Sequence, residues 1–120
     1  MKKIESFDNA IANKAKDIKA LCINPTAFWA YRESIKADND LINFYDVIWD
    51  NDIEEIATTL NENGITEFTI SSNFSGLIKT LAEFEKHGFK VAGITEVNAT
   101  YTDFNTGEPV RVPALRMMKI

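Results

Sequence analysis

Two side chains that carry much of enzyme chemistry near neutral pH occur once each in this chain, His87 and Cys22. A lone histidine builds no histidine-pair metal motif, and a lone cysteine builds neither an internal disulfide nor a Cys-rich zinc site. His87 falls in the last turn of a predicted helix, just before Gly88, where imidazoles bond terminal carbonyls and offset the helix dipole. Cys22 falls on an apolar helical stripe and reads as a buried, inert thiol. No catalytic residue and no cofactor are assigned. The best candidate for ligand contact is the run Ser71-Ser72-Asn73-Phe74-Ser75-Gly76. Hydroxyls, small residues and free backbone N–H groups at a strand-to-helix junction suit a phosphate or carboxylate. Ser71, Ser72, Asn73, Ser75 and Gly76 are therefore the candidate ligand site, although the same residues serve as ordinary helix caps. The first 63 residues contain no glycine, which excludes a Walker or Rossmann phosphate loop there.

A second candidate is an acidic, aromatic-rich stretch. Trp29, Tyr31, Phe44, Tyr45 and Trp49 lie close together, and no Lys or Arg occurs between Ala37 and Ile78. That interval carries Asp38, Asp40, Asp46, Asp50, Asp52, Glu54, Glu55, Glu62 and Glu67. Such a field repels phosphate backbones and argues against nucleic acid on this face. It suits a protein partner, a basic one by charge complementarity, with Trp29, Tyr31, Tyr45, Asp46, Trp49 and Asp50 as contacts. The alternatives are a helical core for the aromatics and a solvated face for the acids. The carboxylates show no EF-hand spacing, so no metal site is assigned.

These residues need elements to hold them. Ser6 can cap a helix with Phe7, Ile11, Ala15, Ile18 and Cys22 on one stripe. Asn24-Pro25 ends it and starts a second helix over residues 25–37. Asn39 or Asp40 caps a short third helix with Leu41, Phe44, Tyr45 and Ile48. Asp52 and Glu55 form a capping-box variant opening a fourth helix that Gly64 closes. From Gly64 the pattern changes. Residues 65–71 alternate as a strand, a helix runs over residues 75–87, and a long strand over residues 89–101 has Gly93 at a bend or bulge. A turn at residues 103–107 leads to a returning strand in which Pro113 marks a bulge or unpaired position. Phe7, Ile11, Ile18, Phe28, Ile48, Ile56, Leu60, Phe68, Ile70, Leu77, Leu81, Phe84 and Val91 form the predicted core.

The expected architecture is one α+β domain over residues 1–120. Its helical half (1–63) packs on a small mixed three-stranded β-α-β-β sheet (64–120), in strand order 1-3-2. At 45% hydrophobic and 26% charged the composition is that of a globular domain. No apolar run approaches the ~20 residues of a membrane span, and no apolar stretch follows the first lysines as a signal peptide requires. A cytoplasmic location is expected.

Two resemblances add to this. Residues 64–120 resemble the C-terminal part of the GNAT acyl-CoA acetyltransferase superfamily, through Ile65 to Ser72, Asn73, Phe84-Glu85-Lys86-His87-Gly88-Phe89 and Met118-Lys119. The likeness implies a local topology. It implies no acetyl transfer, since the pyrophosphate loop is missing and Phe84 stands where the family often has a tyrosine acid. Over its whole length the chain is similar to small uncharacterised proteins of gut Firmicutes found near mobile elements. The phrases that carry this are Phe28-Trp29-Ala30-Tyr31, Asp40-Leu41-Ile42, Phe68-Thr69-Ile70-Ser71-Ser72, Tyr101-Thr102-Asp103 and Thr106-Gly107-Glu108. The expected function is a non-enzymatic cytoplasmic accessory protein that binds another protein through the acidic, aromatic-rich surface, with a homodimer left open. The alternative is a small-molecule or nucleotide-binding module using the residue 71–76 junction.

Overall fold

The computed structural model describes residues 24–120. The predicted helix from Ser6 to Cys22, with Phe7, Ile11 and Ile18, lies outside them. Asn24 starts α1 (Pro25–Lys36): its side-chain oxygen accepts from the Ala27 N–H at 3.0 Å, and Pro25 occupies the first turn, where a missing N–H costs nothing. A 3₁₀ turn (Asp50–Asp52) leads into α2 (Ile53–Glu62), which buries Ile53, Ile56, Ala57 and Leu60. Asp52 does not cap α2 through its side chain, as a capping box would require. Its carboxylate instead accepts from Asn24 Nδ2 at 2.8 Å and Thr26 Oγ1 at 2.6 Å. The start of α1 is thereby tied to the start of α2.

The short third helix is not formed. Residues 43–44 are an extended strand, β1 (Asn43–Phe44), pairing in parallel with β2 (Glu67–Ile70). Leu41, Phe44, Tyr45 and Ile48 carry helical spacing, but Asn43 decides the conformation. It is fully buried, and each of its polar groups finds a partner in the extended form. Its N–H donates to Ser34 Oγ at 2.8 Å, Nδ2 donates to Ser71 Oγ at 2.8 Å, and Oδ1 accepts from Thr69 Oγ1 at 2.8 Å. A buried amide without such partners would cost about 1–3 kcal/mol.

The architecture is α+β, with helices packed against a mixed sheet, but the sheet differs from the expectation. It has four strands, not three, in the order β1-β2-β4-β3 rather than 1-3-2. After β2 the chain forms α3 (Leu77–Lys86), then the hairpin of β3 (Phe89–Thr102) and β4 (Pro109–Lys119). β4 is antiparallel to both β2 and β3. The ladder slips between Val91 and Gly93, and Gly93 takes φ 151°, a region that disfavours any side chain.

Phe44, Phe68, Phe84 and Phe89 form the centre of the core, with ring centroids 5.2–5.4 Å from Phe68. Phe28, Ile48, Ile56, Leu60 and Ile70 are buried around them, and Leu77 and Leu81 pack at the margin. Val91 is not in the core: it is 43% exposed, because it stands on an edge strand where the bulge begins. Tyr31 and Met117 are fully buried, and neither belonged to the expected core.

Candidate functional site

The first four residues after Gly64 to join the sheet are those of β2, which pairs β4 only from Glu67↔Met118 to Ile70↔Leu115. There the chain turns away. The Ser71 and Ser72 N–H groups bond the Phe44 carbonyl, at 3.1 and 3.4 Å, so both residues follow β1. β4 and β3 run on without β2 beside them. An open cleft of about 330 Å³ lies where the strands part. Its walls are Ser71, Ser72, Asn73 and Leu77 on one side, and Ile94, Pro113 and Leu115 of the hairpin on the other. Ser71, Ser72 and Asn73 are thus brought to one site, while Ser75 and Gly76 are exposed and do not line it.

The chemistry of this cleft differs from an anion site. No charged side chain lines it. The Ser71 and Ser72 amides are already engaged with Phe44, and the Ser71 hydroxyl accepts from Asn43. At the start of α3, the Leu77 N–H bonds the Phe74 carbonyl, and Lys79 forms an ion pair with Asp50 at 3.1 Å. That helix end therefore has a carboxylate beside it. The cleft offers instead a mostly apolar wall, with Ile94 72% exposed. Ser72 Oγ is buried and is the one buried side-chain N or O atom among the described residues that lacks a hydrogen-bond partner. Sequence reading missed Ile94, Pro113 and Leu115, because a strand's register against a distant junction leaves no local signal.

Register also explains Pro113. The Lys119 N–H bonds the Thr66 carbonyl, so odd-numbered β4 residues aim their backbone groups toward β2. Pro113 is one of these, two residues beyond the last β2 pair, and its missing N–H breaks no ladder bond. It pairs across from Glu96 on its other side.

A polar clasp fixes the hairpin wall. Asn98 is on the outer edge of β3, and its N–H donates to Asn39 Oδ1 at 2.7 Å. Its carbonyl accepts from Asn39 Nδ2 at 3.0 Å and from the Tyr45 hydroxyl at 2.8 Å. One amide side chain thus acts as a neighbouring strand. The Asn98 side chain returns a bond to the Ala37 carbonyl at 2.8 Å, and Arg111 reaches Asn98 Oδ1 at 3.0 Å and the Glu96 carbonyl at 3.1 Å. The exposed edge is blunted by side chains. Burial pushes the Tyr45 hydroxyl above its ordinary pKa, partly offset by side-chain hydrogen bonds, so it stays a neutral donor.

The acidic, aromatic-rich protein-docking surface is not formed, and that expected function is corrected. Tyr31 is fully buried, and Phe28 and Phe44 belong to the core. Tyr45 directs its hydroxyl into the clasp. Asp50 pairs with Lys79, and Asp52 is held by Asn24 and Thr26. Aromatic side chains make a buried cluster, and the carboxylates do not gather around them. Trp29 and Trp49 remain outside, 51% and 69% exposed, in a separate groove with Asp46. His87 ends α3, its N–H bonded to the Phe84 carbonyl, and Cys22 lies outside the described residues. Among the described residues no group of three or more His, Cys, Asp or Glu could hold a metal ion, and no helix is long and apolar enough to cross a membrane.

No curated protein and no solved structure matches this chain. Residues 26–119 match the family described as Domain of unknown function (DUF7698), and the chain belongs to that family.

Proposed function

We propose that this chain is a non-catalytic binding domain that holds an uncharged, largely apolar small molecule in the cleft between Ser72 and the β3–β4 hairpin. The observation that carries this is the open cleft itself, uncharged, mostly apolar and walled by Ser72 and the hairpin. The Ser72 hydroxyl is closed to solvent and has no partner, and rotation about its Cα–Cβ bond would bring its one donor and two acceptor sites to a ligand's polar group. The volume is at the lower end of small-molecule sites, and mostly apolar walls with few polar groups are what such sites present. The lack of any lining cation argues against a phosphate or carboxylate at Ser71, Ser72, Asn73, Ser75 and Gly76.

The cleft's side chains are aliphatic, hydroxyl and amide, with no acid–base pair for a chemical step. We place the protein in the cytoplasm. We also propose that residues 64–120 share a topology with the C-terminal part of the acetyltransferase superfamily, supported by β4 lying between β2 and β3. The segment after β1 carries Asp46, Asp50 and Asp52 and no glycine, which speaks against a pyrophosphate there.

A thermal-shift screen of matched alcohols, amides and carboxylates tests the reading. A ligand at 100 times its dissociation constant adds roughly 2.7 kcal/mol of stability. Uncharged members should stabilise the wild type and not Ile94→Asp. Stabilisation by carboxylates alone would refute it.

A further inference from the structure

Trp29 and Trp49 line one groove of about 290 Å³, with Ala30, Phe44 and Val47 as apolar neighbours and Glu33 and Asp46 as its charged residues. No Lys or Arg lines it. Glu33 approaches Lys36 only at 4.0 Å on an exposed surface, and Asp46 has no ion-pair partner among the described residues. Trp49 is the more open indole, 69% exposed against 51% for Trp29, which also packs edge-on against Phe28. The Arg32 guanidinium lies over the Trp29 ring, 5.2 Å from its centroid, so an added cation would share that indole with Arg32 and find Trp49 more open. Indole faces attract cations within about 6 Å of the centroid, and nearby carboxylates add to the field. A compact ammonium keeps its water in such a groove, whereas a weakly hydrated alkylated cation can desolvate against indole and aliphatic walls.

We propose that this groove takes a small organic cation of the quaternary ammonium kind. The site is independent of the Ser72 cleft and involves a few side chains around a small molecule, not a broad protein-docking face. Charge and shape together make the assignment: an anion meets two carboxylates, and a neutral molecule gains only the apolar contacts.

The protein supplies its own probe, since Trp29 and Trp49 are its two tryptophans. Intrinsic fluorescence of the full chain should be titrated with choline and, separately, with 3,3-dimethyl-1-butanol, which has the same shape and no charge. The fluorescence should change saturably with choline, and the neutral isostere should bind at least about tenfold more weakly. Glu33→Gln with Asp46→Asn should abolish that preference, and Trp49→Ala should remove most of the choline affinity, followed by calorimetry. Circular dichroism would check that the variants fold, which the exposure of these side chains favours. Equal affinity for the two compounds, no saturable change with choline, or undiminished binding by Trp49→Ala would each overturn the proposal.

Discussion

Asn39→Ala should loosen the hairpin by breaking the clasp that holds it. Asn39 is only 4% exposed, and its amide makes two bonds to the backbone of Asn98 and one to Tyr45. Truncation leaves the Asn98 N–H without its acceptor, while the Asn98 carbonyl keeps the Tyr45 hydroxyl. An orphaned buried donor costs about 1–3 kcal/mol, and a second lost bond about 0.5–1.5 kcal/mol. The clasp is partly open to water, which can solvate the freed N–H, so the expected loss is near the low end, about 2 kcal/mol. Against a total of roughly 5–15 kcal/mol this is readily measured by urea unfolding. Hydrogen exchange gives the local readout: the Asn98 amide should lose protection, while Phe68 and Ile70 amides change only with global stability. Asn39→Asp should be at least as costly, because a carboxylate would face the Asn98 carbonyl. A loss under about 0.5 kcal/mol with unchanged Asn98 exchange would refute the clasp argument.

Tyr45 is neutral in the fold, and its raised pKa has a sign. Its stabilising contribution is complete below the unfolded value of about 10 and fades as pH rises through the higher folded value. The alkaline loss of stability above pH ~10 should therefore be smaller in Tyr45→Phe, as read by unfolding at several pH values. Phe68→Ala should cost about 3–5 kcal/mol in urea unfolding, since Phe68 touches three other phenyl rings at the core centre. Gly93→Ala should cost about 1–3 kcal/mol despite open space around a new methyl, because the cost is φ 151° and not a clash; an unchanged midpoint would mean the bulge can relax.

Much of the element pattern could be read from local chemistry. Asn24-Pro25, Gly64, Gly88 and the turn before Gly107 are punctuation whose physics is local, and they fall at element boundaries. Residues 41–48 misled because Leu41, Phe44, Tyr45 and Ile48 recur at helical spacing. The deciding residue was Asn43, whose partners Ser71 and Thr69 are more than 25 residues away. Non-local satisfaction of one buried amide thus turned a predicted helix into a fourth strand. The aromatic-rich stretch misled in a related way: composition cannot tell Tyr31, which faces the core, from Trp29, which faces water. The serine junction was visible as a chemistry-bearing run, but its cleft was not. The cleft exists because β2 ends at Ile70 while β4 continues, and that mismatch is a property of pairing.

The claim that Ser72 and the hairpin form a site for an uncharged ligand is tested most directly by amide chemical-shift mapping. Titrating the ¹⁵N-labelled chain with the matched alcohols, amides and carboxylates should give saturable shifts at Ser72, Asn73, Ile94 and Leu115 with uncharged members, and these should vanish in Ile94→Asp. No saturable shift at those four amides, or shifts only with the carboxylates and centred on the start of α3, would contradict it.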